Sequence, residues 1–297
     1  MYNIDYKQRK EYKINIKNKN RVKGEWEMSF FDKLLGRDNS KDLNNKNIRH
    51  EHIDVPNEQV ESNKKSNTLN LSKEEAIKTL NLRKSNLNTL CLKKKELSNV
   101  IARVCVVMDY SYSMEGLYDR GVVQTLFERL LPIAIKFDDN GELESWIFSN
   151  SFERLESITE DNFYGYVNRE IRRYRMGGTE YTPVMRDVVK KYVKEEPSNV
   201  PTYVIFITDG DNSDKKETDK VIIESSKNNI FWQFVGIGDN NFNYLMKLDE
   251  MDGRYVDNAN FFKCNNINKV SDNELYEKLL AEFPEWIEKA KNLGIIK

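Results

Sequence analysis

The sequence predicts an α/β protein over residues 101–297, with a mainly parallel sheet wound by helices on both faces. Three observations lead there. Short β-favouring runs at 104–108 and 203–207 are apolar throughout, as strands covered on both faces are, and 230–235 is apolar but for Gln233. The stretches between them carry apolar residues at helical spacing. Strand and helix alternate, an order that demands parallel pairing through right-handed crossovers.

Each element follows in turn. Residues 1–27, rich in Lys, Asn and Tyr, show no sustained period. They are read either as a disordered leader or as sequence ahead of the true start, because Met28 opens a short amphipathic turn at 28–36 with Phe30, Phe31, Leu34 and Leu35 on one side. From 37 to about 70, Asn, Ser, Lys and Glu dominate. That composition cannot bury enough apolar area to offset backbone ordering, so 28–68 is expected to be the turn plus a disordered linker. His50 and His52 have a spacing that could hold a metal, but without a nearby third ligand they read as solvated. In 69–100, Leu71, Leu80, Leu82, Leu87, Leu90 and Leu92 recur among polar residues, with local alternation at Leu80 and Leu82 and at Leu90 and Leu92. Short antiparallel strands packed on the main domain are expected there.

The main domain, 101–297, opens on the 104–108 strand. A helix follows with Val122, Val123, Leu126, Phe127, Leu130 and Leu131 on one stripe, and Pro132 is expected to kink or end it. Residues 143–149 form the next strand, and 152–155 return beside it across Ser149, Asn150 and Ser151. Thr159 caps a helix running to about Arg173, with Glu160 and Asp161 in its first turn. Thr182 followed by Pro183 opens a helix with Val184, Met185, Val188, Val189 and Val193 inward. Asp214 and Glu217 start another helix. Ser271 and Glu274 form a capping box before Leu275, Leu279 and Leu280, and Pro284 restarts a last helix carrying Trp286 and Ile287. The outcome is one doubly wound, Rossmann-like domain whose functional site belongs at the carboxyl ends of its strands.

Composition narrows the function classes. The net charge of −1 conceals an asymmetry: residues 1–100 carry 22 Lys and Arg against 14 Asp and Glu, whereas residues 101–297 carry 25 against 34. The folding half is acidic and repels phosphate backbones unless a cation intervenes, so no nucleic-acid partner is expected. Cys91, Cys105 and Cys264 are odd in number and widely spaced, which excludes a disulfide framework or Cys-rich zinc site and suits a reducing compartment. No apolar run approaches the ~18 residues of a membrane span. No basic start followed by an apolar run and a small-residue cleavage site is visible, so a soluble, cytoplasmic protein is expected.

The chemistry gathers at two strand ends. The first central strand ends in Asp109, Tyr110, Ser111, Tyr112, Ser113, and the 203–207 strand runs into Thr208, Asp209, Gly210, Asp211. Between them lies a glycine-rich loop ending at Thr179. Asp109, Ser111, Ser113, Thr179 and Asp209 are all oxygen donors with few charges, a set suited to a hard cation: Mg2+ first, with Mn2+ or Ca2+ also possible. Serine hydroxyls are neutral, so the ion keeps much of its charge and an open position that an anionic partner group can fill. Asp211 is read as a group behind the ligands or as a cap for the following helix, and Glu180 as a solvated loop acid. The Arg172, Arg173, Arg175 cluster reads as a solvated helix end that could attract an anion, and Cys105 as inert core.

This constellation resembles the metal-ion-dependent adhesion site of von Willebrand factor type A domains, in which D-x-S-x-S, a mid-domain Thr and a later strand-end Asp occur in this order. The resemblance covers 101–297 and implies a binding module, not an enzyme, with Ser111, Ser113 and Thr179 as direct or near-direct ligands and Asp109 and Asp209 acting directly or through water. Shorter strings (28–36, Leu71 to Lys73, Ala102 to Val104, 177–185 and Glu282 to Trp286) are similar to bacterial tellurium-resistance and stress-response proteins with such domains. That likeness implies a cytoplasmic stress role among related tellurium-resistance proteins. Many relatives have glycine where Tyr112 stands. If the position needs positive φ, tyrosine is strained; otherwise Tyr110 and Tyr112 form an aromatic rim around the ion.

The competing reading is a Mg-dependent phosphohydrolase with Asp109 as nucleophile, since a first-strand aspartate also opens that chemistry. It lacks the expected acid two residues on, where Ser111 stands. A third reading gives the basic first 100 residues an anionic surface to bind, although their charge is scattered through polar sequence.

Overall fold

Asp109 and Thr208 end neighbouring strands in the computed structural model, which describes residues 72–296. The strands are β1 (Arg103–Asp109), β2 (Glu144–Phe148), β3 (Phe152–Arg154), β4 (Thr202–Thr208), β5 (Ile230–Ile237) and β6 (Ala259–Cys264), in the sheet order β3-β2-β1-β4-β5-β6. Only β2 and β3 pair antiparallel, as the Ser149 to Ser151 turn predicts; the other four neighbours are parallel. β4 and β5 are buried along their whole length and β1 beyond Arg103, which suits their largely apolar sequences, with Gln233 a buried polar exception in β5. The chain winds outward from β1 in one direction and from β4 in the other. This reversal opens a crevice at the carboxyl ends of those two strands, where such sheets bind ligands.

The helices are α1 (Lys73–Lys93), α2 (Glu115–Asp119), α3 (Val122–Phe137), α4 (Thr182–Lys190), α5 (Lys215–Ser225), α6 (Asn243–Asp249), α7 (Asp272–Leu279) and α8 (Phe283–Asn292). Strand alternation splits the interior in two. Val104, Val106 and Met108 join Leu126, Leu130, Leu279 and Trp286 under α3, α7 and α8, while Cys105 and Val107 join Val184, Val188, Ile222 and Leu245 under α4, α5 and α6. Burial pushes the Cys105 thiol far up, in keeping with an inert core position.

Three expectations need correcting. Residues 73–93 form a helix, not strands. Ala76, Leu80, Arg83, Leu87, Leu90 and Cys91 make a buried stripe at spacings of three and four, while Leu82 (61% exposed) and Leu92 (81%) face away. The local alternation was therefore two turns of a helix seen edge-on. Ser72 starts it with a full capping box to Glu75. α1 lies on α3 and α7, where Arg83 stands 3.5 Å from Glu128 and 3.4 Å from Asp272. Second, the helix expected from Thr159 shrinks to a single wide turn at Val167–Ile171. The Asn162 side chain accepts from Thr159 N and donates to Ser157 O, competing with helical bonding, and Gly165 takes φ 67°. Third, of the two outcomes expected at Pro132, an end is not the one taken: α3 runs through it to Phe137. Losing one backbone bond costs about 3 kcal/mol, but Ile133, Ala134 and Phe137 beyond it are buried, with the two larger ones worth about 1.5–3 kcal/mol each.

The expectations for residues 1–71, including the 28–36 turn, the alternative start at Met28 and the pair His50 and His52, lie outside the described residues.

Candidate metal site

Asp109 closes β1 with no exposed surface, and both its oxygens are engaged. Oδ1 accepts from Ser111 N at 2.8 Å and Oδ2 from the Thr208 hydroxyl at 2.6 Å, while its carbonyl accepts from Tyr118 OH at 2.9 Å. The Ser113 hydroxyl donates to Asp209 Oδ1 at 2.8 Å. With its one proton so used, Ser113 must accept from Ser111, whose Oγ lies 3.0 Å away. Two carboxylates and three hydroxyls from β1, its exit turn and β4 thus form two short relays at one sheet edge. Asn240 Nδ2 holds the Asp209 carbonyl at 2.5 Å.

The glycine loop is pinned to the same place. Ser111 bridges Gly177, and Tyr112 N donates to Gly177 O at 3.0 Å. Thr179 lies two residues past Gly177, as Ser113 lies two past Ser111. Its carbonyl accepts from Ser213 N (3.0 Å) and Ser213 Oγ (3.2 Å), which ties the loop to the segment after β4. Among the described residues its hydroxyl takes no hydrogen bond. Asn150 Oδ1 accepts from Gly178 N at 2.6 Å, and a Cβ on Gly177 would come within 2.9 Å of Asn150 Oδ1 and Ser149 Oγ. This approach is why the loop needs glycine. Asp214 then seats the start of α4 by accepting from Tyr181 N (3.0 Å) and Thr182 N (2.7 Å).

Burial sets the electrostatics. It pushes the Asp109 carboxyl up to about 6, against hydrogen bonds from Ser111 and Thr208 and with a smaller upward push from Asp209. Asp209 is 7% exposed and raised by burial, with the Ser113 hydrogen bond opposing. Neither takes an ion pair among the described residues. Two buried carboxylates without a cation are costly when charged, and a divalent ion would remove that cost. Among the described residues no three His, Cys, Asp or Glu side chains gather to hold a metal. The oxygen set around Asp109 and Asp209, rich in neutral hydroxyls, therefore fits a hard cation best.

The expected residues divide clearly. Asp109, Ser111, Ser113 and Asp209 come together, and the Thr179 loop is fastened beside them. Tyr110 is no rim: extended backbone sends it opposite Asp109 and Ser111, and it is 4% exposed, edge-on to Tyr118 at 5.0 Å, with its hydroxyl on Tyr174 O. Tyr112 is 68% exposed, and no described non-glycine residue has positive φ, so tyrosine fits without strain. Asp211 pairs with Lys215 at 2.6 Å, and Glu180 accepts from Asn150 at 3.3 Å. Thr208, Tyr118, Asn150, Asp214 and Asn240 were not expected to support the site. Only Thr208 had a signal, as a polar residue ending an otherwise apolar strand.

Comparison with known proteins identifies the family of the domain. Residues 101–296 match the family model described as the vWA domain found in the TerF C terminus. The uncharacterized protein YcbR of Bacillus subtilis (strain 168) is 47% identical over 223 residues, covering 74% of this chain and 90% of YcbR. Three solved structures are similar at lower levels. An aerotolerance-related membrane protein from Bacteroides fragilis has a TM-score of 0.46 at 15% identity, over 63% of this chain and 99% of that one. Proximal thread matrix protein 1 from the mussel byssus has 0.45 at 18%, over 62% and 48%, so the match spans about half that protein's length. The manganese-loaded TRAP protein of Plasmodium vivax has 0.44 at 18%, over 56% and 70%. With two thirds of its length matching that family model and a relative at this identity, the chain belongs to the TerF-like von Willebrand factor type A family.

Proposed function

We propose that this protein is a metal-dependent protein-binding module. Asp109, Ser111, Ser113, Thr179 and Asp209 would hold a divalent ion, Mg2+ first, and the ion would offer an open position to an acidic group of a partner protein. The observation that carries this reading is the pair of buried carboxylates, without an ion pair among the described residues, joined to three hydroxyls at the crevice between β1 and β4. When bound, the ion supplies positive charge for an outside carboxylate. The chain's own part is to fix ligand positions: Thr208 and Ser111 N orient Asp109, Asn240 steadies Asp209, and Asn150 fastens the Thr179 loop. Exposed Tyr112 would border the partner. Family membership further supports a cytoplasmic role in bacterial stress response or tellurium resistance, with related proteins as partners.

The test is thermal melting with and without Mg2+, Mn2+ or Ca2+. At a metal concentration about 100 times Kd the gain is about 2.7 kcal/mol, and Asp209→Ala or Ser113→Ala removes it. Identical wild-type melts with and without every one of these ions would reject the reading. For partners, survival of a deletion strain on tellurite tests the cellular role. The phosphohydrolase alternative gains nothing from the geometry, because the position two residues on, where it needs an acid, is Ser111, whose hydroxyl bonds Ser113. Mg-dependent turnover of an aryl phosphate that Asp109→Asn abolishes would restore it.

A further inference from the structure

Four arginines fall within seven residues, at 169, 172, 173 and 175. Three are committed. Arg169 and Arg173 meet Glu170 at 3.3 and 3.1 Å, and Arg172 meets Asp119 at 2.6 Å while lying over the Tyr118 ring. Arg175 is exposed and, among the described residues, takes neither an ion pair nor a hydrogen bond. It lines a cavity of about 220 Å3 with Tyr110, Tyr174 and Phe152, between the end of β2 and the loop leading to Gly177.

Its place in the chain limits how far its backbone can lie from the candidate ligands. Arg175 lies two residues before Gly177, which pairs with Ser111, and four before Thr179. Four residues span at most ~14 Å when fully extended. That bounds the backbone separation of Arg175 and Thr179, and a guanidinium walled by Tyr110 and Tyr174 can take a carboxylate with two parallel hydrogen bonds. We propose that Arg175 is a second anchor for an acidic partner segment, whose two carboxylates, up to four residues apart, meet the ion position and Arg175 together. This rests on the function proposed above and adds the partner's chemistry. Glu153, on the same cavity wall, also takes no ion pair among the described residues and opposes the incoming acid.

Blocked peptides Asp-(Gly)n-Asp, with n from 0 to 3, are titrated against the full chain in Mg2+ beside a one-Asp control. At least one two-carboxylate peptide should bind about 5-fold tighter than the control. Arg175→Ala should remove that advantage, Arg175→Lys should keep part of it, and neither should change Mg2+ affinity or control binding. Glu153→Gln should strengthen the favoured peptide about twofold. Mg2+ binding with equal affinity for all peptides, or an advantage that survives Arg175→Ala, overturns the second anchor alone. Wild-type protein that gains no stability from any divalent ion overturns the metal site and the anchor with it.

Discussion

Replacing Thr208 by valine keeps the side chain's shape and deletes one hydroxyl. That hydroxyl donates to Asp109 Oδ2 at 2.6 Å and accepts from Gly210 N at 3.3 Å, while the single proton of the nearby Tyr181 hydroxyl goes to the Gly210 carbonyl. Thr208 and Asp109 are both fully buried, so water does not replace the donor. Tyr181 keeps its hydrogen bond to the Gly210 carbonyl, which leaves Asp109 with the main loss. A buried acceptor short of its donor costs about 1–3 kcal/mol. For a folded unit of this size each kcal/mol moves the melting midpoint by about 2–4 °C, so a loss near 2 kcal/mol lowers Tm by about 4–8 °C. Urea unfolding followed by tryptophan fluorescence, with chelator present, measures the free energy directly, and Thr208→Ser restores it. A valine variant within about 0.5 kcal/mol of wild type, the range of an inert substitution, would show that Asp109 does not depend on this hydroxyl. It would also remove the strand-end relay from the account of the site.

Other outcomes follow from the same geometry. Leu87 on α1 has no exposed surface, and Leu87→Ala should cost about 2–5 kcal/mol in urea unfolding; a neutral result would mean that α1 is not part of the folded unit. Burial disfavours the charged form of Asp214, but hydrogen bonds from Thr182, Tyr181 and Asn212 outweigh it and hold the carboxyl below its ordinary value. A depressed carboxyl contributes stability above its unfolded pKa, and the contribution is lost as pH falls through the folded value. Asp214→Asn should therefore be less stable at pH 7 and show a flatter acid limb below about pH 4; parallel curves for the two proteins would refute the assignment.

The central strands were legible because burial on both faces leaves a largely apolar run, continuous between the end residues of β1 and β4 and broken by Gln233 in β5. The site was legible where ligands follow strand ends in sequence, at Asp109, Ser111, Ser113 and Asp209. Its supports were not. Asn150 meets Gly178 across 28 residues and Asn240 meets Asp209 across 31, distances at which no local pattern survives. α1 was misread because two short stretches of leucine alternation match a strand template, and only the full stripe from Ala76 to Cys91 reveals the longer period. Tyr110 was misread for the opposite reason: adjacency in sequence to Asp109 was taken for adjacency in space.

The pairing of β1 with β4 acts as a ruler. Met108 stands level with Ile207, and strands in a sheet are ~4.8 Å apart, so Asp109 falls opposite Thr208 and Asp209 starts one residue beyond that fixed rung. Adjustment to a larger or smaller guest must come from side-chain torsions and from the three turns that leave the same rim. Discrimination by size is thereby handed to the loops, while the frame beneath them stays still.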